Sequence, residues 1–575
     1  MKKNIFYFLG IISLLHFTAC DKLDREVITT WNKEEVNSIY SLTKDRATAM
    51  YADLPNGFTE IDGAMLASAT DEAEHTLETS DVQSFNAGSW DAVTNPDNVW
   101  SNYFKAIRNV NLFLANSDGV NMDPLKLDPT KLATYNAQVA DIKRWKYEGQ
   151  FLRSYYYFEL IKRYGGVPII TNVLYLGDNV SNIQRDSLAK CVRFIVNECD
   201  TAAKYLPVKP VGVELGRASK GAAMALKAKV LLYAASDLWN TPSWATGYAN
   251  AEFISLPDGN NPVIRTARWK AAADAAKAVI DLAGTGYALA LDYKAMFLGS
   301  QGYNSTEHIF VRRNAASNEF EKAVYPIGFD LAKSGNAPSQ NLVDAYEVKK
   351  SATVAEAFDW SNPAHAANLY TGRDPRLEAS VITNNSLFKA RGIEIWTGGK
   401  DGKGINLATK TGYYLKKYVD ENLDLNLGTT SIHTWSLIRL ADVYLWYAEA
   451  LNEYSPGHAD IKKYVDLVRE RKTVEMPKVP AGKTQTEMRD IIRHERHVEL
   501  AFEGHRAWDL RRWMTAPAVL GAELKGVQIT QTTPGVYSYA KIKVEDRVFT
   551  PKMYFYPIPQ SEILKMSNWK QNPLW

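Results

Sequence analysis

From Ile142 the apolar positions fall at Ile142, Trp145, Gly149, Leu152, Tyr156 and Leu160, in steps of three and four. That spacing predicts one buried face of a long helix. Arg144–Glu148 and Glu159–Arg163 add favourable charge pairs one helical turn apart on its flank. Gly165-Gly166 followed by Val167-Pro168 ends the helix and turns the chain extended. A second helix starts at Ser219 as N-cap and carries Ala223, Leu226, Val230 and Tyr233 on the same steps. Its many alanines allow neighbouring helices to approach closely. A third, from Trp435 to Glu453, places Ile438, Ala441, Leu445, Ala448 and Leu451 on one stripe. Segments 99–116, 185–204, 268–283 and 459–472 read as further helices. The pattern predicts a mainly α fold in which helical hairpins stack as in tetratricopeptide repeats. No strict period is present, so the array is degenerate.

Between about 285 and 435 the helical periodicity fades. Gly, Asn, Ser and Thr become frequent, and short extended runs such as His308 to Arg312 appear. This predicts an irregular, loop-rich lobe with short strands, inserted into the helical frame. The composition shifts without a linker, so residues 20–575 read as a single domain.

The N-terminus reads as an address. Lys2-Lys3, the apolar run Ile5 to Phe17, and Thr18-Ala19 before Cys20 form a secretory signal pattern over residues 1–19. Thirteen residues of helix span about 20 Å, short of the ~30 Å hydrocarbon core of a bilayer. Cys20 stands where a bacterial lipoprotein signal places its lipidated cysteine, although Phe17 replaces the usual aliphatic residue. Cys191 and Cys199 are eight apart in a helical stretch, about 12 Å, too far for a disulfide. They read as small buried residues.

The whole chain of 575 residues carries a net charge of +2. Both basic residues ahead of Cys20 leave with the signal, so the mature chain holds 65 basic and 65 acidic residues. A neutral chain gives no overall reason to gather polyanions, which argues against nucleic acid. The 15 Trp, 31 Tyr and 20 Phe are a large supply of flat faces, most of them needed by the core, with the remainder available to ligands.

Phosphate-cradling GxxxxGK, GxGxxG after a strand, and the GxSxG elbow are missing from the sequence. His494-Glu495-Arg496-His497 sets its histidines three apart, not the four of HExxH. Glu495, Glu499 and Glu503 are four apart on a helix begun by the capping box Thr484-x-x-Glu487. The apolar stripe Met488, Ile491, Val498 and Phe502 turns Glu495 inward, with Arg496, Arg506, Arg511 and Arg512 as expected partners. Cations lower a carboxyl pKa, the opposite of what a general acid needs, so a buried ion network is the expectation. Asp71, Glu72, Glu74 and His75 follow no apolar periodicity and precede Phe85, Trp90 and Trp100 in a Gly/Asn-rich stretch. Loop carboxylates hydrogen-bond hydroxyls and a flat ring packs on the apolar face of a sugar. The same pattern equally fits a solvated loop over a core tryptophan. Gly398-Gly399 and Gly402, around Asp401, read as a surface turn.

The run RHERHVELAFEGHRAWDLRRW from Arg493 to Trp513 resembles the signature of the SusD/RagB family of outer-membrane nutrient-binding lipoproteins. Other segments agree in order: WSNYFKAIRNVNLFL from Trp100, FLRSYYYFELIKRYGGVPII from Phe151 and GRASKGAAMALKAKVLLYAAS from Gly216. PSQNLVDAYE from Pro338, RDPRL from Arg373, WSLIRLADVYLWYAEALNE from Trp435 and the ending QNPLW complete the match. The resemblance implies a non-catalytic protein that binds glycans at the cell surface and delivers them to a SusC-like TonB-dependent transporter, acting as its lid. It implies anchoring in the outer membrane through a lipid on Cys20, facing the exterior, with no cofactor. These motifs carry scaffold in that family, and ligand contacts vary.

Chemistry and placement therefore select the candidate ligand-binding residues. Trp90 is expected as a stacking platform, Asp71, Glu72 and His75 as hydrogen-bonding groups, and Phe320 and Tyr325 as aromatics of the lobe. Trp239 and Trp244 are weaker candidates. Two alternatives stay open: a peptide-binding uptake lipoprotein on the same scaffold, and a surface glycosidase using an acidic pair such as Asp71 and Glu74.

Overall fold

The computed structural model describes residues 33–282, 284–566 and 568–575. The signal segment and Cys20 lie outside the described residues. The chain divides into two compact units. The described part of the smaller comprises 33–46 and 116–142. It is held by Asn121 N–H on Ser38 O (2.9 Å) and by Tyr40 OH on Asp141 Oδ2 (2.7 Å). The larger unit holds 47–115 and 143–575.

The long helices are α1 (Trp100–Asn116), α2 (Leu132–Tyr164), α3 (Leu188–Tyr205), α4 (Lys220–Ala235), α5 (Pro262–Ile280), α6 (Leu440–Tyr454), α7 (Ala459–Arg469) and α8 (Gln485–Glu499). Their caps follow from the sequence. Ser219 accepts from Ala222 N at the start of α4, and Thr484 and Glu487 form the reciprocal capping box of α8. Helix α2 stops because Gly165 adopts φ +72°, and a Cβ on Gly166 would lie 2.1 Å from Asp186 O.

Within the larger unit the helices pack in succession: α3 on α4, α4 on α5, α5 on α6, and α6 on α7 and α8. Close packing of α4 is possible because the side chains of Ala222, Ala223, Ala225, Ala228 and Ala235 are all buried. Tyr157 of α2 joins α1 and α3 through edge-on contacts with Phe104 (6.5 Å) and Phe194 (5.3 Å). Cys191 and Cys199 are buried and free, as the spacing requires.

Helix α5 meets α6 directly although 159 residues separate Ile280 from Leu440. The intervening stretch is the loop-rich lobe, built of short helices and two-stranded ladders. It contains strands β2 (His308–Arg313), β3 (Asn336–Pro338) and β4 (Thr434–Arg439), while β1 (Ala73–His75) precedes it in the chain. Strand β4 corrects the expectation of a helix from Trp435. Thr434–Arg439 pairs antiparallel with β2, and all six of its residues are buried. The ladder satisfies this backbone, so α6 begins after it.

An ion network joins α8 to the lobe. Arg376 bridges Glu495 (2.5 Å) and Glu499 (2.9 Å). Arg439 spans Glu307, Glu499 and Glu503, each at 2.7 Å. Arg471 holds Glu307 (2.6 Å) and Glu499 (2.8 Å), and Lys417 holds Glu503 (2.7 Å). Burial alone would push the pKa values of Glu307, Glu495 and Glu503 up, but the surrounding cations prevail and pull these three down to about 2. The network was expected; its partners were not. Arg496 pairs instead with Asp442 and Asp509, Arg506 with Asp71, and Arg512 with Glu449 and Asp509.

Candidate ligand-binding face

The structure places all six sequence-selected ligand residues in the interior. Trp90 is 1% exposed. Its ring stacks on Phe85 at 5.1 Å and 3°, with Tyr556 and Trp575 at 5.3 and 4.8 Å. Protein occupies the surroundings of the ring, so the stacking platform expected there is a core residue. Phe320 packs on Phe58 (4.7 Å) and His433 (5.4 Å). Tyr325 is buried, its hydroxyl donating to Asp420 O. Trp239 is likewise buried, and Trp244 is half-buried and stacked on Tyr554 (5.5 Å).

The acidic run is a strand with its preceding turn, not a solvated loop. Asp71 receives two hydrogen bonds of 2.8 Å from Arg506. Burial raises its pKa, but Arg506 and His497 outweigh that and hold it at about 2. Glu72 accepts from Phe502 N (3.3 Å), and burial and neighbouring Asp71 push it up to about 8. Burial raises Glu74 to about 7, against the pull of Lys410. His75 is buried, which lowers its pKa. Residues Ala73–His75 pair with β3, so this backbone is spent on a ladder. Asp401 also departs from the surface turn expected of it. It is fully buried, accepting from Arg391 at 2.7 and 2.8 Å and from Glu394 N at 2.9 Å.

Partly exposed aromatics gather elsewhere, along the hairpin of β5 (Leu524–Thr533) and β6 (Val536–Glu545). Gly535, at φ +79°, makes the turn. In β6 the alternate residues Tyr537, Tyr539 and Lys541 share one face, spaced by about 7 Å per two residues. Register sets Tyr539 opposite Ile529 and Lys541 opposite Val527, both buried. Trp396 packs on Tyr537 (5.1 Å, 35°) and Tyr370 meets Tyr539 edge-on (6.0 Å, 88°). Lys541 lies 5.3 Å over Trp360 and bonds Asp344 (2.6 Å). Trp360 Nε1 donates to the same carboxylate (2.9 Å). Tyr370 OH, Tyr413 OH and Gln340 Oε1 continue as a hydrogen-bonded chain of 3.3 and 2.6 Å.

The far edge of β5 is tied down by Thr397 N on Ile529 O (3.1 Å) and Val527 N on Thr411 O (2.7 Å). At the base of β6 a cavity of about 630 Å³ opens, lined by residues 76–79, 403–410 and 542–544. Its volume lies within the ~300–1,000 Å³ typical of small-ligand sites. The acidic segment reaches this region through its continuation, Thr76–Thr79, and through the ion pair of Glu74 with Lys410 (3.5 Å). Arg547 fixes the two together by donating to the carbonyls of Ser68, Thr70 and Ala73. A sequence signal for this face exists: Tyr537-x-Tyr539 in strict alternation after Thr533-Pro534-Gly535 marks a hairpin with an aromatic side.

Residues 306–575 match the model described as SusD family, and residues 30–232 match the model described as starch-binding associating with outer membrane. The chain belongs to the SusD/RagB family. A curated relative, SusD-like protein P2 of Formosa agariphila, is 22% identical over 479 residues, 82% of this chain and 79% of the relative. A SusD-like protein from Bacteroides fragilis superposes with a TM-score of 0.75 at 24% identity, covering 95% of this chain and 99% of its own. A SusD-like carbohydrate binding protein from the same organism gives 0.72 at 24% identity, over 93% of this chain and 100% of its own. The surface glycan-binding protein A of Bacteroides fluxus gives 0.61 at 18% identity, over 94% and 100%. These likenesses establish the SusD-like fold; the family is described as glycan-binding and associated with the outer membrane.

Proposed function

We propose that this SusD-like chain captures oligosaccharides or polysaccharides at the cell surface, on the row formed by Trp396, Tyr537, Tyr539 and Trp360. The partial exposure of those rings, each buttressed by neighbouring side chains, carries the reading. An aromatic edge held in place offers apolar area at little entropic cost, and Asp344, Lys541 and Tyr370 supply polar groups beside it. Delivery to a SusC-like TonB-dependent transporter, and attachment through a lipid on Cys20, complete the proposal. The role is capture without turnover. Asp71 is buried and fully engaged by Arg506, so it and Glu74 do not frame an open catalytic cleft. A shallow row of rings suits a glycan better than a peptide, which needs exposed backbone partners.

The test is affinity electrophoresis of residues 21–575 in gels containing individual polysaccharides. Retardation by one glycan family is expected, lost in Trp396→Ala/Tyr537→Ala and kept in Trp244→Ala. Retardation unchanged in the double variant would remove the row from the site, and release of shortened products from a bound glycan would refute the non-catalytic role. Loss of surface attachment in Cys20→Ser checks the anchor.

A further inference from the structure

A second cavity, of about 310 Å³, lies among α5, α6 and α8 and shares no lining residue with the aromatic face. Its wall is charged: Asp237, Arg265, Glu449, Glu453, Arg489 and Arg493, beside Trp269 and Trp513. Each of its carboxylates already has a cation. Arg265 holds Asp237 at 2.7 Å, and Arg489 holds both oxygens of Glu453 at 2.6 and 2.7 Å. Arg512, behind the wall, holds both oxygens of Glu449 at 2.5 and 2.7 Å, and Trp513 Nε1 donates to the same group at 2.7 Å.

Arg493 is left over. It makes no ion pair among the described residues, and its buried Nε has no hydrogen-bond partner. Its guanidinium sits 4.8 Å from the Trp513 ring centroid. The Nε of Arg265, on the same cavity, is buried and equally without a partner. The lining sets three arginines against three carboxylates, and because Arg512 also holds Glu449 from behind, Arg493 is the lining cation without a direct ion-pair partner among the described residues. A half-buried guanidinium without an ion-pair partner favours an anion as the group that completes it. A guanidinium flanked by a flat ring matches a planar carboxylate in a two-point hydrogen bond.

We propose that this cavity binds a small carboxylate through Arg493, with Arg265 as the second donor. The carboxylate belongs either to an acidic sugar or to a free organic acid, and the volume admits both. This site does not depend on the glycan reading of the aromatic row.

Residues 21–575 are titrated calorimetrically with sodium acetate, sodium glucuronate and glucose at matched ionic strength. Saturable one-to-one binding of a carboxylate is expected, with none of glucose. Arg493→Gln is expected to weaken binding at least tenfold, and Arg493→Lys less, because the charge remains while the planar fork is lost. Trp396→Ala is expected to leave it unchanged, which separates this site from the aromatic row. Binding of acetate and glucuronate alike assigns recognition to the carboxylate alone; glucuronate without acetate adds the sugar ring. If neither binds, or Arg493→Gln binds as tightly as the native chain, the proposal is overturned. Should Arg493→Gln not fold, Arg265→Gln, which removes the second cation, is expected to weaken carboxylate binding in the same direction, and unchanged binding in it overturns the proposal.

Discussion

Glu72→Gln tests whether the acidic segment serves the core or the ligand. Glu72 is 1% exposed, and it faces Asp71, Arg506, Lys417 and the amide of Phe502. Burial, then Asp71, raise its pKa from 4.5 to about 8. A carboxyl raised on folding contributes stability fully below its unfolded value and loses it as pH climbs through the folded one. Each pH unit in that window costs about 1.4 kcal/mol, so by pH 7 the native carboxyl has forfeited roughly 3 kcal/mol relative to pH 4.5. The amide does not ionise, and its carbonyl still accepts from Phe502 N. Glu72→Gln should therefore be more stable than the native chain by ~2–3 kcal/mol at pH 7, with the gap closing toward pH 4.5. Unfolding entropy of about 2.1 cal/mol/K per residue gives about 1.2 kcal/mol/K for a chain this long, so the gain at pH 7 is about 2–3 °C in Tm. Differential scanning fluorimetry at half-unit steps from pH 4.5 to 8, with glycan retardation measured alongside, reads both quantities. Parallel curves for the two proteins across that window would refute the burial argument. Weakened retardation in Glu72→Gln would return the residue to the binding site.

Trp90→Ala should cost ~3–5 kcal/mol, the usual price of emptying a large aromatic site in a core, and leave glycan retardation intact below its lowered Tm. Loss of retardation in a folded Trp90→Ala protein would reverse that assignment. Arg439→Met strands Glu307, Glu499 and Glu503 without their shared cation, and should cost ~3–5 kcal/mol at pH 7. The deficit should narrow as acid protonates Glu307 and Glu503, which urea titrations at pH 7 and pH 4 compare directly.

The helical frame was legible because it is periodic and capped locally. Ser219, Thr484 and Gly165 do in the structure what their neighbours in sequence imply. The insertion between α5 and α6 was legible from its fading helical periodicity and its Gly, Asn, Ser and Thr content. Trp435–Arg439 misled because its apolar positions suit a helical stripe as well as a fully buried strand, and pairing with His308–Arg313 decides the matter. The ion network was legible as a class, since Glu495 sits on the apolar stripe of α8. Its partners Arg376, Lys417, Arg439 and Arg471 come from distant segments that no local spacing relates.

The site was harder for a related reason. Trp90 and the Asp71–His75 run have the chemistry of a sugar site, but chemistry in sequence carries no record of burial. Phe85, Tyr556 and Trp575 close around Trp90 from 5 to 485 residues away. The aromatic row, in contrast, is a property of alternation: Tyr537 and Tyr539 share a face only because the strand repeats every second residue. Trp396 reaches that face through a tight turn. A Cβ on Gly402 would stand 1.9 Å from Trp396 O, so the close return of the chain beneath the tryptophan requires glycine there. Thr397 N then bonds β5 next to it, fixing ring and hairpin in one piece. A ligand settling on this row meets rings whose positions are already determined, so little of its binding energy goes to ordering them. Rigidity is thus supplied by backbone contacts and left independent of the exposed side chains, which are free to differ with the ligand while the helical frame stays the same.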